Sequence, residues 1–369
     1  MINKTLLIFS YDFPPSNGGI ARLTYEIAIG AVNKFEKVIV ITRKNTSSQK
    51  PYNFNDNIEV KYLPSKRGKT ELSAIKYLSA IKNKEEYYLL CGLWHPEVIL
   101  AKLSGFKNIN VLSHGAELLS GASKFRKMFW LPVYAKRMLN KVNIIANSEY
   151  TAKLNRRVSP KATVTALPLA VNHKYFKPNQ TQKNKKIILG TVSRVLQFKG
   201  HDFVLRVLNN LSKEYKEKME WHIAGTGPYL NKLKKEVENL KLEKIVKFKG
   251  FVPDKELPYF YNSLDVFVLC TRQTANSNQV EGFGLVFLEA QACGVPVIGT
   301  KSGGIPSAVK QNNGGWLIEQ DNEIQLANQI KILIDNPLIL KEQGVKARKR
   351  VERSCTWDIY CQQLFNILE

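Results

Sequence analysis

Short apolar runs rich in β-branched residues alternate with segments of helical periodicity along most of the chain. Strands that alternate with helices predict βαβ units and largely parallel sheets covered by helices. The predicted strands are Thr5–Ser10, Val38–Thr42, Ile58–Leu63, Tyr87–Leu90, Asn110–Ser113, Asn143–Asn147, Thr163–Leu167, Ile187–Val192, Trp221–Gly225, Val246–Gly250, Val266–Leu269 and Val295–Gly299. The pattern therefore predicts an α/β protein.

The chain is long enough for two domains, because its 369 residues exceed what one ordinary core holds. A polar, charged stretch without periodicity at 179–186 is predicted to be the interdomain linker. Residues 351–369 include an amphipathic segment, Trp357–Leu368, with apolar residues at helical spacing. We predict domains at 1–178 and 179–350, followed by a C-terminal helix at 351–369.

Positive charge is concentrated in the first half of the chain. Residues 1–178 hold 28 basic and 11 acidic side chains, a net charge of +17, whereas residues 179–369 hold 27 and 20, a net charge of +7. Such an excess predicts an anionic partner. No helix-turn-helix, zinc-finger or RNA-binding signature supports nucleic acid, so a membrane surface is the favoured interpretation.

The predicted location is the cytoplasm, at the inner face of the membrane. The five cysteines show no Cys-x-x-Cys spacing, which argues for a reducing compartment and against a disulfide framework or zinc site. The first ten residues resemble a strand more than a signal peptide, and no apolar run approaches the roughly 18–20 residues that span a bilayer.

A basic aromatic segment at 123–141 is the candidate membrane contact. It interleaves six cations with aromatic and aliphatic residues, a composition that suits an anionic lipid interface. The alternative is a core-facing helix with a solvated basic face.

A glycine-rich turn at Glu281–Leu285 precedes a short helix that contains Glu289. Free backbone N–H groups at such a helix start attract a phosphate. A carboxylate accepts two hydrogen bonds, which suits the vicinal hydroxyls of a sugar or ribose. The stretch therefore predicts a sugar-nucleotide site formed by Glu281, Gly282, Phe283, Gly284, Leu285 and Glu289. Alternatively, this is a common α/β turn with two exposed glutamates.

Arg194 and Lys199 follow a predicted strand and precede Gly200. Fixed cations stabilise the charge that develops on a departing diphosphate; the alternative is two ordinary surface cations. The chain has no Asp-x-Asp motif that would hold a metal on the diphosphate. We therefore predict no metal and no cofactor, with cations and backbone N–H groups in their place.

These motifs resemble a known family. Glu281, seven residues and Glu289, followed by Ala-x-Ala-x-Gly-x-Pro-Val, is similar to the signature of retaining GT-B glycosyltransferases of family 4, and Arg194-x(4)-Lys199-Gly200 resembles their diphosphate-binding pair. The resemblance implies two Rossmann-like domains with a cleft between them and a final helix that crosses back to the first domain. It implies transfer of a hexose from a GDP- or UDP-linked donor to a lipid-linked or glycan acceptor. The loop at 271–280 and the stretch after it are similar to phosphatidylinositol-mannoside mannosyltransferases, which use GDP-mannose.

The resemblance also implies roles for residues elsewhere in the chain. Gly18 and Gly19 would lie against the donor diphosphate, although a flexible loop is the alternative. His114 would orient the transferred sugar, although a lone histidine at a strand end is more often a structural hydrogen-bonding residue. Gly225, Gly227, Phe251 and Val252 would line the nucleotide pocket, and the loop Ser302–Pro306 would support Glu281.

Two other functions suit the same residues. A sugar-nucleotide 2-epimerase on this fold would release free nucleoside diphosphate without an acceptor. A non-catalytic protein would bind the sugar nucleotide without turnover.

Overall fold

The computed structural model describes residues 2–16, 18–44, 57–179, 185–274, 277 and 279–369. The chain forms two compact units, one of Met1–Leu167 with Trp357–Glu369 and one of Pro168–Thr356. Most of the predicted linker, residues 180–184, lies outside the described ranges. So do position 17 of the first loop and positions 275, 276 and 278 of the loop at 271–280.

Helices and strands alternate through both units. In chain order the elements are β1 (Ile2–Phe9), α1 (Gly19–Ala31), β2 (Phe35–Arg43), β3 (Ile58–Leu63), α2 (Lys69–Ala80), β4 (Tyr87–Cys91), α3 (Ile99–Leu103), β5 (Ile109–Ser113), α4 (Lys136–Met138), β6 (Asn143–Ala146), α5 (Glu149–Val158), β7 (Thr163–Ala166), β8 (Ile187–Val192), α6 (His201–Asn210), α7 (Lys213–Glu217), β9 (Met219–Ala224), α8 (Leu230–Asn239), β10 (Val246–Gly250), α9 (Leu257–Asn262), β11 (Val266–Leu269), α10 (Leu285–Ala292), β12 (Val297–Thr300), α11 (Ile305–Ala308), β13 (Gly315–Ile318), α12 (Glu323–Asp335), α13 (Leu338–Ser354) and α14 (Trp357–Leu368). Two π-helical segments, Trp94–Val98 and Arg126–Ala135, lead into α3 and α4 respectively.

The first unit is built on a parallel sheet. Among the described residues its strand order is β3-β2-β1-β4-β5-β6-β7, and every neighbouring pair is parallel. The order reverses between β1 and β4. Ligands of open parallel sheets bind outside the carboxyl ends of the strands at such a reversal. The loops after β1 and β4 are therefore the expected ligand-binding loops of this unit.

The final helix, α14, packs on the first unit. The rings of Phe35 and Phe365 meet edge to face with centroids 5.0 Å apart. Cys361 lies so close to Gly30 of α1 that a Cβ at this glycine would come within 2.6 Å of the Cys361 sulfur. The close approach of the two helices explains how the apolar stripe of the C-terminal segment is buried. It agrees with the fold-class prediction for the last helix.

The second unit repeats the architecture. Its described strands follow the order β10-β9-β8-β11-β12-β13, again all parallel. The order reverses between β8 and β11, so the loops after these two strands lie at the ligand-binding edge of the sheet. Trp221 is fully buried in the core of this unit, where its indole N–H donates to the Thr191 hydroxyl at 2.9 Å.

The second sheet differs from its prediction at β12 and β13. The strand predicted at Val295–Gly299 begins at Val297, because the Val295 N–H still caps α10 by donating to Ala290 O and Pro296 has no N–H to give. Strand β13, Gly315–Ile318, was not predicted. Its four residues follow Asn-Asn-Gly and become a strand by pairing with β12, a tertiary contact without a local signal.

Candidate active site

The loop after β8 carries both predicted phosphate-binding cations. Residues Gln197–Lys199 form a 3₁₀ turn that ends at Gly200, whose left-handed φ of 76° starts α6. A Cβ at Gly200 would lie 1.8 Å from the carbonyl oxygen of Cys270, so only glycine permits this turn to pack against the end of β11. Arg194 is exposed on the same loop, and no hydrogen bond or ion pair of its guanidinium occurs among the described residues.

Lys199 meets Glu281, although the two are 82 positions apart in sequence. Lys199 Nζ lies 2.6 Å from Glu281 Oε2, and the two side chains are only 15% and 16% exposed. Limited solvent access strengthens this attraction relative to that of a surface pair. The structure thus brings one cation of the predicted diphosphate pair against the acid predicted to bind the sugar.

The Glu281 loop is supported from beneath. Gly304 N donates to Glu281 O at 2.8 Å, and a Cβ at Gly303 would come within 2.4 Å of the same oxygen. The prediction that the loop Ser302–Pro306 supports Glu281 is confirmed. Helix α10 then starts after Gly284, whose φ is 90°, while the side chain of Phe283 is buried in the core. Phe283 therefore offers a ligand only its backbone.

Glu289 lies one turn inside α10 and is almost completely buried. Its Oε2 accepts a 2.8 Å hydrogen bond from the hydroxyl of Tyr261 on α9. Burial, with a smaller contribution from the negative Glu289, raises the pKa of the neighbouring Cys293 thiol to about 12. The alternative in which Glu289 is an exposed surface charge is wrong.

Gly225 and Gly227 serve packing in this structure. A Cβ at Gly225 would lie 1.9 Å from Ser193 O, and one at Gly227 would lie 2.4 Å from Val195 O. The two glycines therefore let the loop after β9 pack tightly against the backbone on both sides of Arg194. Beyond the end of β10, Phe251 is exposed and Val252 is half-buried; their nucleotide contact remains a prediction.

In the first unit, His114 follows β5 and is held by hydrogen bonds with the Gly92 carbonyl and the Glu117 carboxylate. Its Nε2 lies 3.1 Å from Gly92 O, which accepts a hydrogen bond from a protonated Nε2. The backbone N–H of His114 donates to Glu117 Oε1 at 2.8 Å, and the Ser113 hydroxyl donates to the same oxygen at 2.7 Å. Glu117 therefore orders the turn that presents His114.

Gly18 and Gly19 start α1 at the carboxyl end of the first sheet. A Cβ added at either position would meet nothing within 4 Å. The φ of 146° at Gly18 favours glycine by itself. At Gly19 neither packing nor backbone conformation requires glycine, whereas a ligand that approaches the backbone would give a reason for it.

Glu97, which sequence reasoning missed, anchors the loop that precedes these glycines. Its Oε1 accepts from Tyr11 N at 3.2 Å, and the carboxyl group is 1% exposed. The Thr24 hydroxyl also donates to Asp12 O at 3.0 Å. Burial raises the pKa of Glu97 to about 8. An isolated glutamate between Pro96 and Val98 carries no sequence signal for this role.

No cluster of three or more His, Cys, Asp or Glu side chains with metal-binding geometry occurs in the part of the chain that the structure describes. Within the same residues, every helix is too short or too polar to cross a bilayer.

Comparison with known proteins identifies the family of this chain. Residues 173–351 match the family described as glycosyl transferases group 1. Over 284 residues the chain is 30% identical to the GDP-mannose-dependent alpha-(1-6)-phosphatidylinositol monomannoside mannosyltransferase of Mycobacterium tuberculosis, an alignment that covers 73% of this chain and 71% of the relative. The chain belongs to the group 1 glycosyltransferases.

A second relative of this group 1 glycosyltransferase matches along its whole length. It is the GDP-mannose-dependent monoacylated alpha-(1-6)-phosphatidylinositol monomannoside mannosyltransferase of Corynebacterium glutamicum, 25% identical over 100% of this chain and 98% of the relative. Among solved structures, sucrose-phosphate synthase from Thermosynechococcus elongatus superposes with a TM-score of 0.76 at 20% identity, covering 99% and 98% of the two chains. The predicted GT-B class, with its resemblance to family 4, is confirmed. This glycosyltransferase is related to GDP-mannose-dependent mannosyltransferases.

Proposed function

We propose that this glycosyltransferase moves a hexose, with retention of the anomeric configuration and without a metal ion, from a nucleoside-diphosphate sugar to an anionic lipid-linked or glycan acceptor. The observation that carries the proposal is the partly buried ion pair of Lys199 and Glu281. It brings together the cation proposed for the leaving diphosphate and the acid proposed for the sugar. GDP-mannose is the first donor to test, because the named relatives depend on it.

The proposed role of each residue follows from the charge or hydrogen-bonding capacity of its side chain or backbone. When the sugar–phosphate bond breaks, negative charge grows on the diphosphate, and fixed cations with free N–H groups at a helix start stabilise it. We assign this role to Arg194, Lys199 and the backbone of 282–285. Glu281 would then orient the hydroxyls of the sugar, Glu289 would bind the ribose diol, and His114 would orient the transferred sugar.

The acceptor proposal includes contact with an anionic membrane surface through residues 123–141. Residues 124–138 form one helix, in which Phe125 is 59% and Met128 is 77% exposed, with Phe129 and Val133 beside them. Lys124, Lys127, Lys136 and Arg137 are exposed around these apolar side chains. Apolar groups surrounded by cations suit insertion at the boundary of an anionic lipid layer. The protein would then act at the inner face of the membrane, in synthesis of a cell-surface polysaccharide or glycolipid.

An aromatic cluster holds this helix, and the exposed Phe125 lies at its edge, with its ring centroid 6.2 Å from that of Trp130. Trp130 lies 4.7 Å from Tyr134, 5.0 Å from His95 and 5.6 Å from Trp94, measured between ring centroids. The cluster fixes the helix on the first unit, while the apolar side chains named above stay exposed.

A donor panel with and without a chelator tests the proposal. The purified protein is incubated with GDP- and UDP-sugars, a lipid extract and EDTA, and products are analysed by mass spectrometry and by NMR of the anomeric proton. We expect an α-linked product from an α-linked donor, undiminished by EDTA. An inverted product or complete loss of activity with EDTA would contradict retention or metal independence, respectively. Free nucleoside diphosphate and an epimerised sugar without acceptor would instead support the epimerase.

A further inference from the structure

His201, which no part of the proposed mechanism uses, is buried next to the loop after β8 that carries Arg194 and Lys199. It is the first residue of α6, follows Lys199 and Gly200, and is 1% exposed. Its ring lies 6.3 Å from the ring of the buried Trp221, with the planes 30° apart. Burial, and secondarily the charge of Lys199, lowers the pKa of His201 to about 4, so the ring is neutral at physiological pH.

The ring connects the two ends of the loop through Ser193. His201 Nε2 lies 3.2 Å from the Ser193 hydroxyl oxygen, which in turn donates to Arg194 O at 3.1 Å. A serine hydroxyl has one proton. When that proton is directed to Arg194 O, His201 Nε2 is the donor in the other bond. His201 Nδ1 has no partner among the described residues, as expected for the unprotonated nitrogen of this tautomer.

The surrounding backbone leaves this loop little freedom. Ser193 N donates to Ala224 O and Val195 N to Thr226 O, at 3.1 and 2.9 Å. At the far end of the loop, Arg272 N donates to Phe198 O at 2.7 Å. Within the loop, Leu196 N donates to Arg194 O at 2.9 Å and Lys199 N donates to Leu196 O at 3.0 Å. The side-chain link from His201 through Ser193 adds a second connection, from the Arg194 carbonyl to the first residue of α6.

We propose that His201 is a positioning residue: by donating through Ser193 to the carbonyl of Arg194, it sets the distance between the two cations that bind the diphosphate. The inference rests on the proposed function of Arg194 and Lys199. Rigid spacing has a chemical purpose, since a group displaced by about 1 Å can reduce catalysis by two orders of magnitude.

Four variants test the link. Ser193→Ala removes the central hydroxyl, His201→Phe keeps a ring against Trp221 but deletes the donor, and His201→Gln restores a donating nitrogen. The matched control is His222→Gln, because His222 is a half-buried histidine of the same unit whose Nε2 bonds Glu220 on β9. For each protein, the Kd for GDP and UDP is measured by calorimetry, the kinetic constants with the preferred donor, and the melting temperature.

We expect Ser193→Ala and His201→Phe each to weaken binding of the preferred nucleotide about tenfold and to lower kcat, at an unchanged melting temperature. The double variant should be no worse than either single one, because both changes break the same chain. His201→Gln should recover most of the loss, and His222→Gln should behave as wild type. If His201→Phe does not fold, the test uses Ser193→Ala and Ser193→Thr instead. Ser193→Thr keeps the hydroxyl and should behave as wild type.

Losses that multiply in the double variant, or wild-type affinity in a folded Ser193→Ala protein, would overturn the link. Arg194→Ala separates this failure from that of the proposed function. If Arg194→Ala abolishes nucleotide binding while the Ser193 and His201 variants are normal, only the positioning role is wrong. If Arg194→Ala is itself silent, the assignment of the phosphate-binding pair is wrong.

Discussion

The hydroxyl of Tyr261 donates a 2.8 Å hydrogen bond to Oε2 of Glu289. The tyrosine is on α9 and the acid on α10, and both side chains are buried in the second unit. A buried carboxylate is stable only when it is paired or hydrogen-bonded. Tyr261 therefore orients Glu289 before any ligand arrives, and a ligand that binds Glu289 meets an acceptor already in position.

Replacement of Tyr261 by Phe should weaken donor binding with little effect on turnover. We expect KM for the donor to rise about tenfold, equivalent to ~1.4 kcal/mol, because a hydrogen bond to a charged group is lost. Tyr215→Phe is the control, since its hydroxyl bonds the exposed carboxylate of Asp335 at the same distance of 2.8 Å. Equal KM values for the two variants would remove Glu289 from the donor site.

Separate removal of Lys199 and Glu281 should reduce activity greatly without unfolding the protein. Loss of one preorganised transition-state contact costs about 10²–10³ in kcat, so Lys199→Ala and Glu281→Ala should each lose that much. The matched pair is Lys301 and Glu319, which are 2.5 Å apart but half exposed and should be dispensable. Near-normal transfer by the folded Lys199 and Glu281 variants would contradict the proposed roles.

Gly19→Ala should separate function from stability. The position has helical geometry and no neighbour within 4 Å, so alanine should leave the melting temperature unchanged or raise it slightly. Activity should nevertheless fall if the donor phosphate approaches this backbone. Gly30→Ala is the converse control, because its Cβ would meet the sulfur of Cys361 and should lower stability. Full activity in Gly19→Ala would exclude the close approach.

Buried Glu97 should make stability depend on pH. Its pKa is raised from the usual 4.5 to about 8, chiefly by burial, so the folded protein keeps a proton that the unfolded chain releases. The contribution is fully present below about pH 4.5 and is lost as the pH rises through 8. Arg43 opposes this shift and Asp12 adds to it.

Unfolding of wild type and Glu97→Gln at pH 5 and pH 8.5 measures this contribution. The wild-type midpoint should fall more between the two pH values, because glutamine cannot titrate. Glu85→Gln, an exposed change in the same unit, should follow wild type. Parallel curves for all three proteins would show that Glu97 does not titrate in this range.

The helix at 124–138 should bind anionic vesicles through its exposed apolar side chains. Sedimentation with vesicles of phosphatidylglycerol and phosphatidylcholine should show binding that falls in the Phe125→Ser/Met128→Ser variant at an unchanged melting temperature. A variant of two exposed apolar residues of the second unit, Ile324→Ser/Leu338→Ser, is the control. Equal binding by all three proteins, or no preference for anionic lipid, would contradict the proposed membrane contact.

The parallel α/β architecture and most strand positions could be predicted from the sequence. Ile58–Leu63, Ile187–Val192, Val246–Gly250 and Val266–Leu269 have their predicted bounds. Ile187–Val192 and Val266–Leu269 are the near-continuous apolar runs typical of buried parallel strands, whereas the edge strands Ile58–Leu63 and Val246–Gly250 alternate apolar and charged residues. Likewise, the motif from Glu281 to Pro296 identified the family, since its residues are local in sequence.

Only the tertiary structure decided which groups meet. Lys199 and Glu281 are far apart in the chain, as are Tyr261 and Glu289 or Glu97 and Tyr11, and no periodicity relates the members of each pair. The residues that hold the site, such as His201 and Ser193, follow no spacing rule because their partners are chosen by burial and by unpaired hydrogen-bonding groups in the folded core. Local chemistry therefore determined the fold and the family, whereas the geometry of the site arose from long-range packing between elements.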